Sequence, residues 1–395
     1  MPTDPRLLEQ AAREAMSPEA FAYFAGGAGI ETTMATNRRA FTRRAIVPRI
    51  LRGSPTRDLS VELFGRRLAS PFLLAPLGVL ELAHSDADLA VARAAAGERV
   101  PMVVSNQASA PMEACAKALG GSPWWFQLYW GASDAIAESF VRRAEAAGAE
   151  AIVLTVDTPM LGWRTRDLDL GYLPFVVGKG IANYTSDPVF DALLDADPEP
   201  GPRGQITWKA MRSLVSLSRR YPGSTLTNLR TGRPRAAVRV FVDVSGRPSL
   251  VWDQLEALRR LTRLPVVVKG VLHPDDARRA VEYGADGIVV SNHGGRQIDG
   301  EVASLDALPA VLEAVGPGVP ILLDSGIRGG ADAFKALALG ARAVLVGRPY
   351  AYGLALAGER GVQEVVRIFV AELDLTLALA GCDSVAGLTP DLLVG

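Results

Sequence analysis

Two textures alternate along the chain from about residue 70 onward. Short apolar runs rich in Val, Ile and Leu fall at 71–78, 101–106, 124–130, 150–157, 264–270, 286–292, 319–326 and 342–348. Between them lie Ala/Arg/Glu-rich segments whose apolar positions recur at helical spacing, among them "DADLAVARAAAG", "DAIAESFVRRAEAAG", "PDDARRAVEYG" and "ADAFKALALG". These four segments each close on a glycine where a C-cap belongs. Apolar runs without polar alternation are what a parallel sheet buried on both faces requires. The count of strand–helix units predicts an α/β chain closed into a (β/α)8 TIM barrel over residues 71–395. A doubly wound open sheet is the competing architecture. The regular count, and the lack of a G-x-G-x-x-G opening, favour closure.

The pattern is interrupted twice. Residues 1–70 precede the first run and read as one or two helices followed by a hairpin-like pair, "RAIVPRIL" with "LSVELFG". This stretch is expected to be an extension packed on the barrel. The interval between the fourth and fifth runs is several times longer than the others and leaves an insertion at about 162–253. It holds Pro/Gly/Asp-rich and arginine-rich pieces, "DADPEPGPRG" and "RTGRPRAAVRV". An insertion after the fourth strand lies at the barrel's active-site end, so it is expected to act as a lid or specificity loop. An oligomer contact or a disordered segment is the plainer reading of parts of it.

Composition narrows the field. The 395 residues are 49% hydrophobic with a formal net charge of −1, enough for a large core and without the basic patch that nucleic-acid binding needs. The N-terminus does not read as a signal peptide, and no apolar run is long enough to span a bilayer. Two cysteines make no disulfide framework, so a cytoplasmic location is expected. With only three histidines, His84, His273 and His293, a zinc site lacks material and no metal is expected.

The chemistry sits where such barrels keep it, at the C-terminal strand ends. Read in order, these ends carry Gly78, Ser105, Gln127 with Tyr129, Thr155 with Asp157, Lys269, Ser291 with His293, Asp324 with Arg328, and Gly347 with Arg348. Each alone has a plain reading as a helix cap or rim residue. Their convergence on one mouth does not. Lys269 follows an apolar run, and a buried ammonium there needs an anionic partner: a substrate, an electron-rich ring or a core carboxylate. Gly347 and Arg348, with the glycines opening the segment after the seventh run, suit a phosphate. His293 and Arg296 share the stretch "SNHGGRQ", with Asp157 as the candidate to orient His293 and raise its pKa.

These motifs, with "YFAGGAG", "FQLYW", "LTVDTPMLGWRTRDL" and "LLDSGIRGGADAFKALALGARAVLVGRP", resemble the FMN-dependent L-2-hydroxy acid oxidases and dehydrogenases over nearly the whole chain. The resemblance implies an FMN cofactor and a small 2-hydroxy acid substrate oxidised to the 2-keto acid. It makes His293 the base with Asp157 as partner. It gives the substrate carboxylate to Arg296 and Arg164 with Tyr23, and the substrate hydroxyl or carboxylate to Tyr129. It puts Lys269 beside the flavin N1 and O2, and backbone of Pro76, Leu77 and Gly78 towards N5. Ser105, Gln127, Thr155 and Ser291 fall to the ring region, and Asp324, Gly326, Arg328, Gly347 and Arg348 to the ribityl and phosphate. "APLGV", "NYTSDPVF", "DSGIR" and the long insertion are most similar to lactate 2-monooxygenase. That implies O2 as acceptor and conversion of lactate to acetate, CO2 and water. A simple oxidase releasing keto acid and H2O2, a dehydrogenase on a larger acid, and a non-catalytic flavin- or phosphate-binding barrel are the alternatives. Gln107 and Met160 are candidates for the pocket of the substrate side chain. The resemblance also implies a homo-oligomer, a tetramer or octamer.

Overall fold

The computed structural model describes residues 1–53, 55–196, 215, 217–219 and 221–395. Eight parallel strands close into a barrel. They are β1 (Phe72–Leu74), β2 (Met102–Val104), β3 (Trp124–Leu128), β4 (Ile152–Thr155), β5 (Val266–Val271), β6 (Gly287–Val290), β7 (Ile321–Leu323) and β8 (Ala343–Val346). Each coincides with one of the apolar runs, the fifth extending one residue beyond its run to Val271. The ring closes where Val344 of β8 pairs with Phe72 of β1. All of these strand residues are buried except Gly270. Every strand is covered by barrel interior on one face and helices on the other, which is why the runs lack polar alternation. The chain is a (β/α)8 TIM barrel.

Glycines end three of the helices as the spacing predicts. Gly148, Gly284 and Gly340 follow their helices with positive φ. In "DADLAVARAAAG" the helix runs on through Gly97 to Glu98, and Arg99 takes the left-handed position instead.

The first seventy residues differ in detail from the pattern. They form three helices, Pro5–Ala15, Pro18–Ala25 and Thr32–Arg43. The expected hairpin partner is wrong. Ala45–Ile46 pairs antiparallel with Leu393–Val394 at the far end of the chain, while Val61–Leu63 pairs with Arg66–Leu68. Local alternation cannot reveal a partner some 350 residues away, and the true hairpin turn, Phe64–Gly65, is shorter than the spacing suggested. The helix Pro18–Ala25 starts on Ser17, whose hydroxyl accepts from Ala20 N, with Pro18 at the first helical position. Its other end points into the barrel mouth.

Between β4 and β5 the described part of the insertion is helical, including Pro188–Ala196, Thr225–Thr231 and Arg233–Ser245. Most of "DADPEPGPRG" lies outside the described residues. The barrel pattern resumes with the helix Trp252–Leu261. Among the described residues no helix is long and apolar enough to cross a membrane.

Candidate active site

The C-terminal strand ends surround one cavity. Of the residues singled out in the sequence, Tyr23, Pro76, Leu77, Gly78, Ser105, Tyr129, Arg164, Lys269, His293, Arg296, Asp324, Gly326, Arg328, Gly347 and Arg348 line it. Gln107 and Met160 line it too. Gln127, Thr155, Ser291 and Asp157 stand just behind the wall. Gln127 accepts from the Ser105 hydroxyl at 3.1 Å and donates to the Thr155 hydroxyl at 3.2 Å, so it holds the ends of β2 and β4 in register.

His293 sits between two partners. Its Nδ1 is 2.8 Å from Asp157 Oδ1, and its Nε2 is 3.5 Å from the Tyr129 hydroxyl. An ionised Asp157 makes Nδ1 the protonated nitrogen, which leaves Nε2 as the basic one. Burial pushes the His293 pKa below its ordinary value and outweighs the raising effect of Asp157, with Lys269 adding to the fall. Asp157 thus raises the pKa and orients the ring as expected, while desolvation decides the net direction. Burial by itself would raise the Asp157 carboxyl, but the charges of His293 and Lys269 and two hydrogen bonds overcome it and hold the group at about 2.

Lys269 ends the regular part of β5 and is almost fully buried. It donates to Ser291 Oγ at 2.9 Å and pairs with Asp324 at 3.2 Å, with Asp157 Oδ2 at 4.0 Å. These neighbours keep it charged, and its pKa is raised although burial opposes this. A bulge follows at Gly270, which has φ +104°. A Cβ there would stand 2.6 Å from Asp157 Cβ, so the glycine is what allows Asp157 to lie against the strand.

The arginines divide the work unevenly. Arg296 gives Nη1 to the carbonyls of Tyr23 and Gly26, at 2.5 and 2.8 Å, and its guanidinium lies 5.1 Å from the Tyr23 ring centre. Arg348 donates to the carbonyls of Phe24, Gly294 and Gly26, each at 2.9 Å. Two cations thus cap the C-terminal end of the helix Pro18–Ala25, where carbonyls lack helical partners and the dipole is negative. Burial and the nearby Arg164 charge lower the Arg296 pKa to about 9. Burial likewise lowers Arg348 to about 10. Among the described residues, the side chain of Arg328 makes one hydrogen bond, Nη1 to its neighbour's carbonyl at Ile327. It is buried enough that desolvation depresses its pKa. None of Arg164, Arg296, Arg328 and Arg348 makes an ion pair with a carboxylate among the described residues. Four guanidiniums on one cavity, short of counter-charge, call for anions there.

FMN fits these residues: its phosphate answers the spare donors of Arg328 beside Arg348, and the buried Lys269 can meet an electron-rich ring. Arg348 has few donors left after its three carbonyls, so Arg328 is the stronger phosphate candidate of the pair. His293, Gly294 and Gly295 all have positive φ. A Cβ on Gly294 would lie 2.7 Å from Arg348 Nη1, and one on Gly295 2.8 Å from Met34 Cγ. The glycines make room for the arginine and the N-terminal extension.

Several lining residues were not singled out from the sequence. Thr158, next to Asp157, donates to Asp157 Oδ1 at 2.9 Å and lies 3.3 Å from His293 Nδ1. Its place directly after the candidate aspartate was the available signal. Phe175, Phe241, Ser245 and Gly246 reach the cavity from the insertion. Nothing local marks them, since only the folding of the insertion back over the mouth brings them there.

Comparison with known proteins identifies the family. The FMN-dependent dehydrogenase family model matches residues 12–395. The L-lactate oxidase of Lysinibacillus sphaericus is 43% identical over 98% of this chain and 91% of its own length. The 4-hydroxymandelate oxidase of Amycolatopsis orientalis is 40% identical over 96% of this chain and 94% of its own. A crystal structure of mandelate oxidase with (S)-4-hydroxymandelic acid superposes with a TM-score of 0.81 at 38% identity, covering 100% of this chain and 98% of that one. The chain belongs to the FMN-dependent dehydrogenase family, whose members use FMN to oxidise α-hydroxy acids.

Proposed function

We propose that this protein oxidises a small L-2-hydroxy acid to the 2-keto acid with dioxygen as acceptor, and holds the keto acid while peroxide decarboxylates it. The carrying observation is that a basic nitrogen, a phenol and a guanidinium pair face one cavity. His293 Nε2 is the free ring nitrogen beside Tyr129, with Nδ1 committed to Asp157 at 2.8 Å. Arg296 and Arg164 bind the substrate carboxylate, and its negative charge relieves their mutual repulsion. Tyr129 donates to the substrate oxygen. His293 Nε2 receives the proton the substrate gives up, and the Asp157 carboxylate stabilises the imidazolium that forms. FMN, when bound, takes up the electron pair that leaves the α-carbon. Lys269, Arg328, Arg348, Asp324, Ser105 and the backbone of Pro76–Gly78 are the groups that would hold it.

The retention part rests on the insertion. Phe175, Phe241, Ser245 and Gly246 line the same cavity as His293, so the keto acid forms under cover. Hydrogen peroxide then adds to the keto carbon; the bond to the carboxylate and the O–O bond break, and CO2, the shortened acid and water leave. For lactate the products are acetate, CO2 and water. A second reading, release of keto acid and H2O2, is favoured by the likeness to L-lactate oxidase. Product analysis in air separates them. The proposal expects acetate and CO2 to match the oxygen consumed; pyruvate and H2O2 in equal, stoichiometric amounts would establish the second reading instead.

A further inference from the structure

Ser325 follows β7 in "DSGIR" and takes φ +73°, a left-handed backbone that disfavours a side chain. A glycine would sit there without strain. The hydroxyl that the strain retains is fully used. It donates to Asp324 Oδ1 at 2.8 Å and accepts from Gly294 N at 2.9 Å and from Asn292 N at 3.3 Å. The two acceptor contacts flank His293 on either side. Asp324 Oδ2, in turn, pairs with Lys269 at 3.2 Å. On the other side of the loop, Ser291 Oγ accepts from both His293 N and Lys269 Nζ, at 3.0 and 2.9 Å. Two serine hydroxyls therefore tie the backbone that carries His293 to the partners of Lys269.

We propose that Ser325 is a positioning residue for the reaction. Its hydroxyl holds the left-handed His293–Gly295 turn in register with the Asp324–Lys269 pair, and so keeps Nδ1 on Asp157 and Nε2 towards the substrate. The argument is geometric. His293 has φ +54° and is followed by two glycines that also have positive φ. Such a turn has many near-equal alternatives, and side-chain hydrogen bonds to its own amides select one of them. Without the Ser325 hydroxyl, the Gly294 amide loses its acceptor, and Asp324 loses one of its two partners.

The inference rests on the reading of His293 as the base. The charged and titratable groups around that ring are Asp157 after β4, Lys269 on β5, Tyr129 after β3 and Arg164 from the insertion. Of these, Asp157 raises the His293 pKa. A turn that slackens lengthens the contact to Asp157 and weakens that effect, while burial remains. The acid limb of the flavin-reduction rate then moves to lower pH as the rate itself falls.

The test uses the FMN-loaded protein with Ser325→Gly and Ser325→Ala. Glycine fits the backbone, so S325G is expected to fold, keep FMN and melt no lower than the parent. In anaerobic stopped-flow with L-lactate, both variants are expected to reduce flavin about tenfold more slowly, since small misplacements of a reacting group are expensive. The acid limb is expected to move down by about half a unit. Wild-type rate and an unmoved limb in S325G overturn the proposal, as does a loss confined to S325A, which assigns the effect to strain. H293N separates the underlying reading: full activity there removes His293 as the base, whereas an inactive H293N beside a normal S325G counts against Ser325 alone.

Discussion

Replacing Asp157 with Asn probes the electrostatics at the centre of the site. The change keeps the shape, and the hydrogen bond from Thr158 can still form, but a unit charge 2.8 Å from His293 Nδ1 disappears. Two charges about 4 Å apart interact by about 4 kcal/mol at an effective dielectric near 20. The asparagine oxygen retains part of this as a neutral hydrogen bond, so about 2–3 kcal/mol of support for the forming imidazolium is lost. That slows flavin reduction by about 30- to 150-fold at saturating substrate. The pH profile moves in a less intuitive direction. The neutral imidazole is the working form, its pKa already lies below the ordinary value, and Asp157 is the group that raises it. Asp157 itself titrates at about 2, so it stays charged across the working range. Removing it lowers the His293 pKa further and carries the acid limb to lower pH. The variant is thus slower on the plateau yet keeps its plateau further into acid. Anaerobic stopped-flow reduction from pH 4.5 to 8 measures both quantities. A D157N rate within about threefold of wild type, or an acid limb displaced upward, would refute the reasoning.

Other expectations follow from single contacts. Gly294→Ala places a Cβ 2.7 Å from Arg348 Nη1 on a residue with φ +67°, so it should weaken FMN binding by about tenfold or more, read from flavin fluorescence on titrating apoprotein. Gly270→Ala drives a Cβ against Asp157 and should destabilise the fold by about 2–3 kcal/mol, seen as a lower midpoint in urea. Arg296→Lys loses the planar fork that binds a carboxylate while it also serves the Tyr23 and Gly26 carbonyls. Its KM for the hydroxy acid should rise by about tenfold or more, and an unchanged KM would remove Arg296 from the clamp. Arg328→Met should cost more FMN affinity than Arg348→Met costs through phosphate alone, because Arg328 has more uncommitted donors; competition of free phosphate with FMN for the apoprotein reports this difference.

The barrel was legible because its cause is local. A strand buried on both faces must be apolar throughout, so each run announced itself, and the strand ends then followed from arithmetic along the chain. The candidate site residues were legible for the same reason: Lys269, His293 and Asp324 stand at the points where apolar runs stop. What escaped depends on long-range approach. The pairing of Ala45–Ile46 with Leu393–Val394 has no local mark. Phe175 and Phe241 become lining residues only through the path of the insertion. The net direction of the His293 shift was not legible, because sequence names a partner, Asp157, but not the extent of desolvation. The reason for the paired glycines was hidden because Arg348 and Met34 come from distant parts of the chain.

The central claim is that His293, oriented by Asp157, removes a proton from a 2-hydroxy acid held by Arg296 and Arg164. Anaerobic mixing of the FMN-loaded protein with L-lactate, in the wild type and in H293N, tests it most directly. The account predicts rapid bleaching of the visible flavin absorbance in the wild type and a reduction slower by about two orders of magnitude or more in H293N, with FMN still bound. Bleaching at equal rates in the two proteins would contradict it.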